Sequence, residues 1–369
     1  MPETGRIAEF HGPTQPFKIR EVPVPDPEPG SIVIKIIGSN ICGSDLHAWR
    51  GDFATKGLGG QLPTVLGHEM IGTVAKLGEG VGTDSDGQPL NEGDLVVYTY
   101  FHMCGRCPNC IRGKRISCYN LNMAMVSSSE EFPYFVGGYG DYYYVRPGAA
   151  IYKVPDDVPW ELVAGANCAL SQVIYGFHRG ELQFGETVVI QGAGGLGLYA
   201  TAVAKASGAH QVITIDGVPD RLDLAKRFGA DEVIDLNEVP EARDRQKLVR
   251  KMTGGHNADV VMEVVGAAGV IPEGINMMGQ FGRYVEIGNI SAGKTVDLDP
   301  TRLVFPNKTI IGVSLYEPWV LGRAIKFLQR SKDTLPLGEI GSTKFKLEDI
   351  NQAFDAADKK EVIRASIVP

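Results

Sequence analysis

All six cysteines of this chain have a metal-ligating reading, and none is left over. Four lie in one short run, Cys104, Cys107, Cys110 and Cys118, spaced C-x2-C-x2-C-x7-C. Cys42 and Cys168 lie far apart, and each can share a metal with His68. Four cysteines close a tetrahedron around zinc, whereas two cysteines and a histidine leave one corner open for chemistry. The loop that carries the four-cysteine run is otherwise polar, with Arg112, Lys114 and Arg115 between ligands, so it has little apolar content to hold it without metal. An iron–sulfur cluster and a nucleic-acid-binding zinc ribbon are the rival readings of that spacing.

A second constellation points to a dinucleotide. Gly192-Ala193-Gly194-Gly195-Leu196-Gly197 reads G-x-G-x-x-G, follows the apolar run TVVIQ and opens an apolar helix. Glycines there let the turn close and let backbone N–H groups approach a pyrophosphate at the helix N-terminus. The next strand-like run, QVITID, ends at Asp216, about 20 residues past the motif. A carboxylate at that point accepts hydrogen bonds from both ribose hydroxyls and repels a 2′-phosphate, which favours NAD over NADP. Arg221 falls near the ribose or is a solvated helix charge. A glycine-rich turn in a non-binding α/β domain is the plainer alternative.

The elements that must position these residues fall into two patterns. Residues 1 to about 165 are punctuated by Gly, Pro and Asp and carry short apolar runs such as SIVIKIIG and DLVVYTY, which predicts a β-rich region. From about 185 to 290 short buried-strand candidates (TVVIQG, QVITID, DVVMEVVG, RYVEIG) alternate with helical segments, which predicts a parallel, doubly wound sheet. The tail from about 313 has two helical stretches and a final strand-like IRASIVP. A length of 369 residues is long for one core. The net charge of -8 argues against a general nucleic-acid binder, because phosphate contacts need a basic face. No export-like leader and no run of about 20 apolar residues occurs, so the chain is expected to be cytoplasmic, with no membrane span and with thiols free for metal.

Taken in order, CGSDLH (42–47), GHE (67–69), the four-cysteine lobe, ANCALS (166–171, with Cys168) and then G-x-G-x-x-G make the chain resemble the zinc-dependent alcohol dehydrogenases of the medium-chain dehydrogenase/reductase superfamily. The resemblance runs from about residue 20 to the C-terminus. It implies an α/β protein with a GroES-like β-rich catalytic domain (1–169 and 313–369, structural zinc lobe about 102–119) and a Rossmann doubly wound domain binding NAD (170–312). It further implies Cys42, His68 and Cys168 as catalytic zinc ligands and Cys104, Cys107, Cys110 and Cys118 as ligands of a second, structural zinc. Glu69 resembles a carboxylate that transiently reaches the metal, and Asp45 one that orients the ligand histidine. Ser44 and His47 resemble the hydroxyl and imidazole of a proton relay. Gly192, Gly194, Gly195, Leu196 and Gly197 match the cofactor loop, Asp216 and Arg221 the ribose pair, and Arg364 an arginine that meets the pyrophosphate. Relatives of this kind are homodimers or homotetramers acting on small alcohols and carbonyls.

Two positions depart from the best-known members. Gly43 stands where many carry a cation on the pyrophosphate, which removes a phosphate contact. Cys168 stands where polyol and threonine enzymes of the superfamily usually place a glutamate. Together with Phe53, Tyr100 and Phe101 near the substrate cleft, this favours a medium or bulky hydrophobic alcohol, aldehyde or ketone. The alternatives are a zinc dehydrogenase of a polyol or hydroxy acid, and a catalytically idle zinc protein that merely binds a dinucleotide.

Overall fold

The computed structural model describes residues 3–52, 61–289, 293–341 and 343–369. The chain divides into two compact units, Met1–Ser171 with Glu317–Pro369, and Gln172–Tyr316. Phe53 lies outside the described residues.

The first unit is β-rich. Its larger sheet has seven strands among the described residues. Six of them run in the order Ile151–Lys153, Leu95–Tyr98, Glu69–Leu77, Ile32–Asn40, Ala365–Val368 and Thr343–Lys346, and Tyr142–Val145 also pairs with Ile32–Asn40. The strand Ile32–Asn40 can sit centrally because it is β-branched and nearly all apolar: Ile32, Val33, Ile34 and Ile36 are buried. The antiparallel register pairs Asn40 with Glu69. The end of one strand, just before Cys42, therefore lies beside the start of the other, just after His68. The strand Ala365–Val368 adds to the same end, pairing Ser366 with Asn40, and so brings Arg364 close.

The second unit alternates strand and helix: β1 (Thr187–Gln191), α1 (Gly195–Ala206), β2 (Gln211–Asp216), α2 (Pro219–Arg227), β3 (Glu232–Asp235), α3 (Ala242–Met252), β4 (Ala258–Glu263), α4 (Ile271–Met277), β5 (Met278–Glu286), α5 (Thr301–Val304) and β6 (Thr309–Gly312). All five pairings are parallel, and the order is 3-2-1-4-5-6. That is the dinucleotide-binding order, with its crevice at the carboxyl ends of the strands where the chain reverses direction across the sheet. Val189, Ile213, Val261 and Tyr284 are buried in its core. No helix among the described residues is long and apolar enough to cross a membrane.

Candidate active site and metal centres

Cys42 sits at the N-cap of the helix Gly43–Arg50, and Asp45 in its first turn accepts the Cys42 N–H through Oδ2 at 2.9 Å. Asp45 is fully buried and does more than cap. Its Oδ1 accepts the Gly67 N–H at 3.2 Å and lies 3.4 Å from His68 Nδ1, and its Oδ2 also accepts the Tyr139 hydroxyl at 2.9 Å. The His68 contact falls within ion-pair reach but is not aligned as a hydrogen bond. Gly67 has φ +89°, and a Cβ there would lie 2.8 Å from the Tyr139 ring, so only glycine lets the loop before His68 settle on that ring.

Cys168 comes from a different kind of element. It lies in a single π-helical turn, Ala166–Leu170. Such turns shift the side-chain register by one residue and are frequent at functional sites. Asn167 fixes the turn to the sheet by donating to the His68 carbonyl at 2.9 Å and the Tyr98 carbonyl at 3.0 Å.

The result is a donor set of Cys42, His68, Glu69 and Cys168, each buried, with ligand atoms within 4.8 Å of one another. Cys42 Sγ and Cys168 Sγ are 4.0 Å apart. Tetrahedral zinc with Zn–S of about 2.3 Å needs sulfurs about 3.8 Å apart. The protonation pattern fits a cation as well. The hydrogen bond from Cys168 and the nearby His68 hold the Cys42 thiol well below its usual range. The same hydrogen bond and burial push Cys168 up. Burial lowers His68, but Asp45 and Cys42 outweigh it and hold the imidazole high. Burial raises Glu69 to about 8 even though Arg364 pulls it down. These are conflicts over one proton that a dication between the donors removes.

Glu69 is bonded through Oε2 to Arg364, and its buried Oε1 has no hydrogen-bond partner among the described residues. Arg364 is 6 % exposed. The structure thus places this guanidinium on Glu69, inside the first unit. Sequence reading assigned the two residues separately and did not pair them.

Ser44 Oγ is 3.4 Å from His68 Nε2. His47 lies one turn further along the same helix, and its Nδ1 is 2.8 Å from Asp52 Oδ2. Asp52 carried no sequence signal. Tyr100 packs its ring 4.7 Å from the His68 ring, centroid to centroid. Phe101, also expected near the cleft, is completely buried and meets Tyr100 edge-on at 5.1 Å.

The second cysteine cluster closes on itself. Cys107 and Cys110 sulfurs are 3.5 Å apart, Cys107 and Cys118 3.9 Å, and Cys104 and Cys118 3.5 Å. These are tetrahedral spacings for four thiolates. A hydrogen bond from Asn120 lowers Cys104 to about 6, while burial pushes Cys110 up to about 12.

In the second unit α1 begins at Gly195, with Gly194 as its N-cap. Gly192 has φ +104°, and a Cβ on Gly197 would lie 1.9 Å from the Gly192 carbonyl oxygen. The loop therefore needs both glycines. Leu196 follows in the first turn of α1. Asp216 ends β2, and its Oδ2 accepts the Ala193 N–H at 2.6 Å. Its Oδ1 accepts the N–H groups of Gly217 at 2.8 Å and Val218 at 2.9 Å. The carboxylate is thus fixed against the glycine loop. Arg221 lies in the first turn of α2.

At the same end of the sheet, in register across β4 and β5, stand Glu263 and Glu286. Glu263 accepts the N–H groups of Val265 (2.6 Å), Gly266 (2.7 Å) and Gly288 (3.0 Å). Burial and then Glu286 raise it to about 8. Glu286 Oε2 is buried without a hydrogen-bond partner among the described residues. Each glutamate ends an apolar strand, so sequence pattern alone gave no reason to pair them.

Residues 28–156 match the alcohol dehydrogenase GroES-like domain family, and residues 195–330 match the zinc-binding dehydrogenase family. The chain is 35% identical over 348 residues to 5-exo-hydroxycamphor dehydrogenase of Pseudomonas putida, covering 94% of both chains. This chain belongs to the zinc-dependent alcohol dehydrogenase family of the medium-chain superfamily. Among other members it is 31% identical to erythritol/L-threitol dehydrogenase of Mycolicibacterium smegmatis, over 100% of this chain and 99% of the relative. An alcohol dehydrogenase from Thermotoga maritima superposes with a TM-score of 0.92 at 27% identity, covering 100% of both chains. Family membership makes the protein a zinc-dependent oxidoreductase that interconverts an alcohol and its carbonyl with a nicotinamide cofactor.

Proposed function

We propose that the chain is an NAD-preferring alcohol dehydrogenase with two zinc ions per chain. Cys42, His68 and Cys168 would hold the catalytic ion, with Glu69 adjacent, and Cys104, Cys107, Cys110 and Cys118 the structural one. The observation that carries this reading is the three-sided thiolate–imidazole set with a hydroxyl, Ser44, beside His68. When bound there, zinc supplies Lewis-acid polarisation of the substrate oxygen, and NAD supplies the hydride acceptor.

The chain's own residues do the remaining work. Asp45 orients His68 and ties the Cys42 and Gly67 loops together, so the ligands are set before metal arrives. Ser44 Oγ would accept the proton of the substrate hydroxyl as it gives up its own, and His47, oriented by Asp52 through Nδ1, is the imidazole on the same helix that would release a proton to solvent. Arg364 offsets the buried charge of Glu69; the pyrophosphate contact expected of Arg364 would require it to serve two anions. Gly192, Gly194, Gly195, Leu196 and Gly197 would receive the pyrophosphate at the start of α1. Asp216 would accept the ribose hydroxyls and exclude a 2′-phosphate, with Arg221 beside it.

In this reading Met1–Ser171 with Glu317–Pro369 is the catalytic domain and Gln172–Tyr316 the NAD-binding domain. The substrate is a bulky hydrophobic alcohol or ketone. Support comes from the relative named for hydroxycamphor, from the ring of Tyr100 on His68, and from cysteine as third ligand. The relative named for erythritol and threitol favours a second reading, a polyol dehydrogenase. An NAD-coupled screen of bicyclic and aryl secondary alcohols against short polyols decides between them, and a preference for the polyols would overturn the first. Cys42→Ser should abolish turnover while NAD binding and the structural metal persist; retained activity would sink the site assignment. We also infer a cytoplasmic homodimer or homotetramer, supported by the open edge strand β6, where Ile310 is 41% exposed. A monomer by light scattering would contradict it.

A further inference from the structure

A cavity of about 880 Å³ opens in the second unit, at the end of the sheet opposite the glycine loop. Its walls include the residues that lead into β4, β5 and β6, whereas Gly192 and Asp216 stand at or just beyond the carboxyl ends of β1 and β2. Five cations line it. Arg243, Lys247 and Arg250 come from α3 at spacings of four and three, which puts them on one helix face. Arg302 comes from α5, and Lys308 from the turn before β6. One lining carboxylate, Asp299, opposes them. A chain of net charge -8 has here reversed its sign locally.

The internal pairing is incomplete. Lys247 is bonded to Asp244 at 2.7 Å, and Arg302 reaches Asp299 only at 4.0 Å. Arg243 and Arg250 have no carboxylate partner among the described residues. Lys308 is half-buried and donates to the Ile275 carbonyl at 2.7 Å. Burial and the neighbouring Arg302 both work against its charge and lower it. Like charges from three elements converging on one concavity repel one another, and an anion placed among them removes that repulsion. Guanidinium groups in particular present forked donors that match phosphate and carboxylate oxygens.

We propose that this cavity is a second ligand site, taking a small polyanion that carries two or more phosphate or carboxylate charges. It is separate from the cofactor loop, and the proposal stands whatever the substrate is. The test is calorimetric titration of the NAD-saturated enzyme with inorganic pyrophosphate and, in a second arm, with tricarballylate. Saturating NAD closes the glycine loop to either probe. The expected result is one equivalent bound per chain for at least one probe, and the probe that binds tells phosphate from carboxylate. Arg250→Gln with Arg302→Gln should weaken that binding about tenfold or more while leaving the melting temperature and NAD affinity unchanged. If the double variant folds poorly, Arg250→Gln alone serves, with a smaller expected loss. Binding of neither probe to the wild-type enzyme, or equal binding to the variants, would overturn the proposal.

Discussion

Tyr139→Phe isolates the contribution of one buried hydroxyl to the three-ligand metal site. The ring stays and still supports the loop at Gly67, so the packing change is a single oxygen. What is lost is the 2.9 Å hydrogen bond to Asp45 Oδ2. Burial and the Asp45 charge hold that phenol well above its usual range, so it is always the donor. A hydrogen bond to a charged group is worth about 1.5–3 kcal/mol, or a factor of roughly 10 to 150 in an equilibrium constant. Asp45 keeps its two backbone donors, at 2.9 and 3.2 Å, so the lower half of that range applies. The same order, about 10–100-fold, is typical when a partner behind a metal ligand is removed. The assay is a chelator challenge of the metal-loaded enzyme, following bound zinc and activity together. On the proposed two-zinc reading, the ion at Cys42, His68 and Cys168 should leave about tenfold or more faster than in the wild type, in step with activity, while the four-cysteine ion stays. Tyr142→Phe, which removes a hydroxyl bonded to Glu3 at 2.7 Å, is the control and should change nothing at the metal. Identical zinc loss from Tyr139→Phe and wild type would refute the argument that Asp45 is held by this hydroxyl.

Asp216→Ala should lower the preference for NAD over NADP by about tenfold or more, as lost ribose hydrogen bonds and lost repulsion of a 2′-phosphate act in the same direction; unchanged selectivity in initial rates would remove the role of that carboxylate. Glu263 is raised to about 8, so the fold favours its neutral form and stability declines as pH rises from its ordinary value near 4.5 through 8. Melting temperature should therefore fall across that window, and Glu286→Gln, which removes the facing charge, should flatten the fall; an unaltered slope would exclude the pair as its source. Cys110→Ser opens the four-cysteine lobe, and limited proteolysis should then cut between residues 104 and 118 while the unit Gln172–Tyr316 remains intact; resistance equal to wild type would mean the lobe does not depend on metal.

Much of the chemistry was legible because it resides in residue types at fixed spacing. Cys104 to Cys118 and Gly192 to Gly197 each lie within one short stretch of chain, so their geometry follows from local chain reach. The alternation of strand and helix after residue 185 led directly to the parallel sheet and its crevice. What the sequence did not disclose are contacts made across it. Glu69 and Arg364 are 295 residues apart and meet through the strand register, and Asp45 and Tyr139 are 94 apart and meet where the loop at Tyr139 packs against Leu66 and Gly67. Tyr139 reads as one aromatic among seven in a β segment, and it is indeed core, yet its hydroxyl also serves Asp45. The π-helical turn at Cys168 has no periodic signature at all.

The strand Ala365–Val368 has a consequence for how the protein is made. It completes a sheet whose other partner, Ile32–Asn40, is synthesised near the beginning, and the whole of Gln172–Tyr316 lies between them in the chain. On the ribosome the inserted unit Gln172–Tyr316 can fold as a contiguous block, since domains fold as units while synthesis proceeds. The earlier-made segment waits with the Ser39–Asn40 end of that strand unpaired on one side and Glu69 without its arginine. The order of folding therefore inverts the order of synthesis. On the proposed reading, zinc that arrived before the last strand would meet Cys42, His68 and Cys168 while Glu69 still lacked Arg364, and the site would be complete only when the final strand docked.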